Sequence, residues 1–341
     1  MNARLKSGFM IGGMVLSWSI YYTVSKLLVD ATGSAAFSGM LLRLAALIFL
    51  TVQLYEDHTF GALLRQGKKQ LVTLIAIGVF GFLLDLFANL GYAGGSLSTG
   101  TALLKTDVLM VNLATVIIYR KKLFASDWLG TLVMIGGVLI VLGVDFRGMR
   151  LNPTDLFFIL SAMCVTVNAF IIKNAQENYH EDADTISYYN NFVVLLLFSG
   201  TAAMTGAISP SALHLPPAMW ALVALGGLAQ TGIYFFYYRN LKHYEVWVVK
   251  LYLLLMPVVS CFIGVFFLGE ELTGRKLLGI LTVLCGAVLI LLRGRINKNK
   301  LQQNGSMMIR SGAYSSMTFL SAFVKSPTSV QQMQPEFISV I

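Results

Sequence analysis

Apolar runs of membrane-spanning length follow one another from residue 8 to residue 292 of this chain. Each is close to the 20 or so residues that a helix needs to cross the hydrocarbon core of a bilayer. Only 12% of the 341 residues are charged, against about 25% in a soluble domain. The pattern predicts an all-α integral membrane protein with ten transmembrane helices and excludes an ordinary globular enzyme. The predicted spans are residues 8–28, 38–55, 70–92, 99–119, 127–144, 154–173, 187–207, 218–238, 246–268 and 276–292.

The basic residues indicate how the spans are oriented. Although the formal net charge is +9, Lys and Arg stand in short clusters between spans, which sets topology rather than indicating a nucleic-acid partner. With the N-terminus inside, most of these clusters fall on the inner side, so we expect both termini in the cytoplasm. The acidic run 181–184 is interpreted as part of a solvated inner loop. Residues 297–341 are polar and irregular, and are predicted to be a disordered cytoplasmic tail.

The spanning region consists of two related halves. Each half holds five predicted spans, an odd number, so the second half crosses the membrane in the opposite sense. This predicts two inverted five-helix repeats, residues 8–144 and 152–292, with a substrate site between them near the midplane. At an offset of 145 positions the matching pairs are Asp85 and Gln230, Tyr92 and Tyr237, and Lys105 and Lys250. Further along the chain, Gly137 matches Gly286 at an offset of 149.

Two lysines are predicted at membrane depth, where a charge is costly and usually functional. Lys105 lies at the depth of Asp85 on the neighbouring span, and an ion pair between them is one interpretation of both charges. Lys250 is opposite the uncharged Gln230 and has no evident acidic partner. Loss of its proton, snorkelling toward the inner interface and neutralisation by a substrate anion all stay open for Lys250.

The predicted buried charges do not balance. Arg43, Lys105 and Lys250 are cations, whereas only Asp85 and Asp107 are carboxylates. Asp107 projects to another side of the helix from Lys105 and is the poorer partner for it. An anionic group would balance the excess positive charge.

Polar residues recur on one face of the third and eighth spans, at helical spacing. Interhelical hydrogen bonding and cavity lining both explain such a stripe, and its repetition in the two halves favours a cavity. The substrate-binding candidates are Trp18, Tyr21, Asn89, Tyr92, Lys105, Asn168, Gln230, Tyr234, Tyr237 and Lys250; Asp85 and Asp107 are candidates for proton coupling or gating, and Arg43 for a structural charge.

The sequence gives no sign of catalysis. Cys164, Cys261 and Cys285 fall within predicted spans, where they behave as small apolar residues. HExxH and GxSxG motifs are absent from the sequence. We therefore expect no enzyme activity, no cofactor and no metal site.

The second half resembles the EamA family of the drug/metabolite transporter superfamily: Pro257 is followed by GVFFLGEELTGRKLLG, with a Leu-Gly-Glu signature at 268–270. Arg43 and the two residues after it resemble the second-span arginine motif of that family. The first half departs from the family, because Asp107, Val108 or Asn112 stands where a proline is usual. The resemblance implies ten helices, an inverted repeat and a central cavity built from spans 1, 3, 4, 6, 8 and 9. In related phosphate and nucleotide-sugar carriers, basic residues on such helices bind the anionic part of the substrate.

These observations predict a secondary transporter of a small polar metabolite with an anionic group, such as an organic acid, an amino acid or a phosphorylated compound, by alternating access. Lys250 would contact the anion with help from Lys105, and Asp85 would carry a coupling proton. The alternatives are a broad exporter of amino acids or drugs with structural lysines, and a lipid-linked sugar flippase. The expected location is a bacterial inner membrane; the oligomeric state is open and includes a homodimer.

Overall fold

The computed structural model describes residues 3–56, 60–63, 66–94, 103–118, 125–142, 153–208, 215–256, 258–259, 262–263, 273–275, 277–286 and 289. These residues are helical or lie in short connections, and no strand occurs among them. The predicted tail (297–341) and the Leu-Gly-Glu signature lie outside the described residues. The helices are α1 (Ala3–Thr32), α2 (Ala35–Glu56), α3 (Phe60–Leu63), α4 (Lys68–Gly94), α5 (Thr106–Ile118), α6 (Ala125–Leu142), α7 (Pro153–Asn178), α8 (Ala183–Met204), α9 (Pro217–Ile233), α10 (Arg239–His243), α11 (Val246–Leu253) and α12 (Leu277–Gly286).

Four helical stretches have both the length and the apolar composition of a bilayer span: Ala35–Glu56, Lys68–Ala93, Leu156–Asn178 and Pro217–His243. Their outward surface is apolar as well. On α2, Leu44, Ile48 and Val52 recur every four residues and are 45%, 58% and 52% exposed. An exposed apolar stripe of this kind suits contact with lipid rather than water. The predicted multi-pass membrane protein is therefore confirmed.

Glycines bring helices from the two halves of the chain close together. A Cβ on Gly39 of α2 would lie 2.6 Å from the ring of Phe198 in α8. A Cβ on Gly227 of α9 would lie 2.8 Å from the carbonyl carbon of Ala45 in α2. Such small residues let helices approach closely in a membrane, where packing drives their association. The main helix contacts are α1 with α9, α4 with α7, α2 with α8 and α9, and α4 with α8.

A second close crossing joins α6 and α12. A Cβ on Gly137 would lie 2.6 Å from the backbone nitrogen of Val283, and one on Gly286 would lie 2.9 Å from the carbonyl oxygen of Gly130. The two backbones are therefore in direct contact at the two glycines that match in sequence.

The acidic run 181–184 begins in the connection before α8, as predicted, and Asp182 is exposed, but the run is not solvated throughout. Asp182 caps α8 by accepting a hydrogen bond of 2.6 Å from the backbone N–H of Thr185. Asp184 forms an ion pair of 3.1 Å with Arg239, and Glu181 is buried. These contacts tie the start of α8 to α10.

Candidate functional site

A small cavity, with about 30 Å³ open to the centres of water-sized molecules, lies where α1, α2, α4, α7, α8 and α9 converge. Leu84, Val165, Ala169 and Ile172 make part of its wall apolar. The polar and aromatic lining consists of Trp18, Arg43, Asp85, Asn168, Asn190, Gln230, Tyr234, Tyr237 and Tyr238. The sequence candidates omitted Asn190 and Tyr238; two adjacent amides, at 190 and 191, inside an apolar run were the signal that could have identified the first.

Arg43 and Asp85 form a buried ion pair in the cavity wall. Arg43 donates to Oδ2 of Asp85 through Nε, at 3.1 Å, and through Nη2. Tyr21 donates to the same oxygen at 2.9 Å, and Arg43 Nη1 donates to the hydroxyl of Tyr234. The predicted pair between Asp85 and Lys105 is therefore wrong. Residue numbers give the relative depths of Asp85 and Lys105 within one helical hairpin, but the long Arg43 side chain reaches Asp85 from another helix, α2.

The wall contributed by the second half is aromatic because the span that begins with α9 continues through a π-helical segment, Tyr234–Tyr238. A π turn carries an additional residue per turn relative to an α-helix, and such turns are frequent at functional sites. Tyr234, Tyr237 and Tyr238 of this segment are buried, whereas Phe235 is partly exposed. The ring of Tyr237 meets that of Trp18 edge to face, with centroids 6.0 Å apart.

Three buried polar atoms of the lining residues lack a hydrogen-bond partner among the described residues: Nε1 of Trp18, Oδ1 of Asn168 and Oδ1 of Asn190. Leaving a buried polar group unpaired costs about 1–3 kcal/mol, and native proteins keep few of them. The residues around the cavity thus include one donor and two acceptors without a partner among the described residues. This is the arrangement expected of a site that binds a polar molecule.

Outside the cavity lining, Lys250 donates a hydrogen bond of 2.9 Å to Oδ2 of Asp107. Asp107 lies in the first turn of α5, and Lys250 lies in the last turn of α11. The carboxylate therefore belongs to the positive end of one helix dipole, and the ammonium belongs to the negative end of the other. The prediction that Lys250 lacks an acidic partner is wrong, because the partner comes from the other half of the chain rather than from the adjacent span.

Lys105 is the buried cation that forms no ion pair with a carboxylate among the described residues. It is 5% exposed, and its one hydrogen bond among the described residues goes to the thioether of Met256, at 3.2 Å. It interacts electrostatically with both Asp107 and Lys250. The three side chains Lys105, Asp107 and Lys250 form a cluster that we call the lysine triad. The excess positive charge predicted from the sequence therefore lies on Lys105.

Tyr237 connects the lysine triad to the cavity. Its ring lies 5.4 Å from Nζ of Lys250, and the same residue lines the cavity. Asn89 and Tyr92 lie outside the cavity lining. Asn89 accepts a hydrogen bond of 2.8 Å from Ser25, and the ring of Tyr92 packs against a phenylalanine of α7 with centroids 5.2 Å apart. For these two candidates, interhelical packing is the interpretation that the contacts favour.

Among the described residues, no three His, Cys, Asp or Glu side chains come together as metal ligands would.

A profile of the EamA-like transporter family matches residues 6–143 and again residues 152–292. An uncharacterized transporter of Archaeoglobus fulgidus is 23% identical over 297 residues, which are 84% of this chain and 99% of that protein. An uncharacterized transporter in the cobO 3' region of a Sinorhizobium species is 29% identical over 132 residues, which are 39% of this chain and 92% of that protein. A crystal structure, described only as that of a protein, has a TM-score of 0.63 at 17% identity and covers 83% of this chain and 98% of its own, which shows a shared fold alone.

Proposed function

We propose a function from one premise: this chain belongs to the EamA-like transporter family of the drug/metabolite transporter superfamily and is a multi-pass membrane transporter. In this proposal the protein carries a small polar metabolite with an acidic group by alternating access. The unpartnered polar atoms of Trp18, Asn168 and Asn190 are the observation that carries the proposal. They offer binding groups that no protein atom among the described residues uses.

The position of the cavity supports a site between two inverted repeats, here residues 8–144 and 152–292. Its walls come from α1, α2 and α4 in the first family match and from α7, α8 and α9 in the second. The helix contacts also repeat: α1 on α9 corresponds to α7 on α4, and α2 on α9 corresponds to α8 on α4. Each contact is expected to occur twice when two five-helix halves, ten spans in all, exchange places about a two-fold axis.

In this proposal Arg43, rather than Lys250, receives the acidic group. Arg43 lines the cavity, whereas Lys250 is paired with Asp107 and lies outside the lining. A guanidinium carries five N–H donors, and the hydrogen bonds to Asp85 and Tyr234 use three of them. A substrate carboxylate or phosphate would then compete with Asp85 for Arg43, which makes this ion pair the gate.

Broad export of amino acids or amphipathic drugs is the second candidate. The observation that favours it is the neutral, partly aromatic wall: Arg43 is already balanced by Asp85, and Trp18 packs against Tyr237. Aromatic rings with polar ends suit amphipathic ligands of either charge.

We assign the protein to a bacterial inner membrane, a proposal that membership of the EamA-like family supports. We place both termini in the cytoplasm, which the distribution of Lys and Arg between spans supports. Small molecules and lipids are its partners.

The test is a thermal-shift screen of the purified full-length protein against matched acidic, zwitterionic, neutral and basic metabolites. A ligand that binds only the folded protein raises its melting temperature by mass action. We expect acidic compounds to give shifts that disappear in the double variant Arg43→Gln/Asp85→Asn, which removes the pair without leaving an isolated charge. Asn178→Ala, on the exposed end of α7, is the control and should keep them. Shifts that ignore ligand charge, or that survive in the double variant, would overturn the acidic-group proposal.

A further inference from the structure

We propose that the lysine triad is a proton-binding site of the transporter and that Lys105 is the residue that releases and takes up the proton. This goes beyond the proposed function, which assigns no coupling ion to the triad. The three residues are each at most 5% exposed. Two ammonium groups and one carboxylate leave one positive charge in excess, and an uncompensated charge at membrane depth is costly.

Of the three charges in the triad, that of Lys105 is the least stabilised by its surroundings. Lys250 has a carboxylate partner and the negative end of a helix dipole, and Asp107 has an ammonium partner and the positive end of another. Lys105 directly precedes α5, so it lies at the positive end of that helix, where a cation is disfavoured. Its hydrogen-bond acceptor is only a thioether.

The chemistry of lysine permits the exchange. One Nζ–H bond of Lys105 breaks, the electron pair stays on the nitrogen, and the proton passes to water on the side to which the site is open. A buried lysine can lose its proton, whereas arginine cannot. The triad then becomes neutral. Oδ1 of Asp107, which has no partner among the described residues, is the acceptor for the ammonium of Lys105 when the proton returns.

The titratable side chains around the triad do not change the assignment of the exchanged proton to Lys105. Among the described residues, Tyr22 of α1 and Tyr237 of the π-helical segment are the titratable side chains that interact electrostatically with the triad. Both are neutral phenols at physiological pH. Within the described part of the chain, Asp107 is the one carboxylate that pairs with either lysine.

The triad spans both family-matched segments, which links proton binding to movement. Lys105 and Asp107 belong to the first segment, and Lys250 belongs to the second. When the halves rock, Lys250 moves relative to Asp107. A carboxylate released by Lys250 can hold the ammonium of Lys105, so we expect Lys105 to bind its proton in one orientation and release it in the other.

The experiment measures charge displacement after rapid pH jumps, with proteoliposomes of the full-length protein adsorbed on a solid-supported membrane and no metabolite present. The wild type is expected to displace charge when the pH crosses the titration range of the site. Asp107→Asn should move the midpoint of this displacement to lower pH, because the ammonium of Lys105 loses its carboxylate. Lys250→Gln should move the midpoint to higher pH, because the competing cation is gone.

Two substitutions of Lys105 test its role. Lys105→Gln and Lys105→Arg should both abolish the displacement; the arginine keeps the positive charge, and so the charge balance of the fold, but does not exchange its proton. The exposed Lys69→Gln is the control and should behave as the wild type. Absence of any displacement in the wild type, or its persistence in Lys105→Arg, would overturn the proposal. Loss in Asp85→Asn without loss in Lys105→Arg would assign the proton to the cavity pair instead. Because no metabolite is present, none of these results bears on the metabolite proposal.

Discussion

Lys250 of α11 donates its hydrogen bond to Asp107 of α5, a residue 143 positions earlier in the chain. The bond joins the two family-matched segments, and both residues are buried. Lys105 interacts electrostatically with this pair but forms no ion pair of its own with a carboxylate among the described residues. The consequences of removing a charge therefore depend on which member of the triad is changed.

Asp107→Asn is expected to destabilise the protein more than Lys250→Gln. The first substitution leaves two buried ammonium groups without a carboxylate, whereas the second leaves one cation, Lys105, and one anion. Breaking a buried pair from one side costs about 3–5 kcal/mol, and we expect Asp107→Asn to approach that range. Melting temperatures in detergent would show the order, and a larger loss in Lys250→Gln would contradict it.

Arg43→Gln and Asp85→Asn should each destabilise the protein by about 3–5 kcal/mol, because each leaves the other charge buried and unpaired. The double variant should recover most of that loss, since both charges are then gone. A double-mutant cycle from unfolding measurements gives the coupling energy. Additive losses would show that the two side chains act independently.

Gly137→Ala should destabilise the crossing of α6 and α12 by about 1–3 kcal/mol, the usual cost of overpacking a tight contact. Its Cβ would lie 2.6 Å from a backbone nitrogen, which no side-chain rotation can relieve. The adjacent Gly136 is the matched control, because a Cβ there meets nothing within 4 Å. Gly136→Ala should instead stabilise the helix by up to about 1 kcal/mol. Equal effects of the two substitutions on melting temperature would be evidence against the contact.

Asn168→Ala should leave the melting temperature of the ligand-free protein unchanged or higher, because it removes a buried acceptor that has no partner among the described residues. The same substitution should abolish the thermal shift given by a bound metabolite. Asn178→Ala on the same helix, where the asparagine is exposed, should preserve the shift. A large destabilisation by Asn168→Ala with the ligand shift intact would point to a packing role.

Burial raises the pKa of the Glu181 carboxyl, and the charge of Asp182 raises it further. A carboxyl whose pKa is raised by folding costs stability once it ionises, so the penalty grows as pH rises above the ordinary value of 4.5 and through the raised value. Glu181→Gln should therefore raise the melting temperature in mildly alkaline buffer and leave it unchanged in acid. The exposed Glu56→Gln should show no such contrast.

The sequence predicted helices well where bilayer thickness sets their length. The predicted spans 38–55 and 70–92 lie within α2 and α4, which are longer by three residues or fewer at each end. The fourth predicted span, 99–119, is continuous, whereas α5 begins only after Lys105. Hydropathy records which residues are apolar and carries no information on where a helix starts again inside an apolar run.

The sequence alone does not predict which buried charges pair, and the reason is geometric. Depth along a helix can be counted from residue numbers, but the choice between Arg43 and Lys105 as the partner of Asp85 depends on which helices are neighbours. Asp107 pairs with Lys250 across the two halves, and no spacing within either half contains that contact. The polar residues that line the cavity are easier to predict from the sequence, since Trp18 and Asn168 are candidates by residue type.

The glycine contact between α6 and α12 has a mechanical consequence. Two helices that touch backbone to backbone can turn about the point of contact far more easily than they can separate or slide, because side chains nearby must be disengaged for either movement. We expect the crossing at Gly137 and Gly286 to act as a pivot. Probes placed at this contact, one on each helix, should keep their separation during transport, while distances across the cavity change.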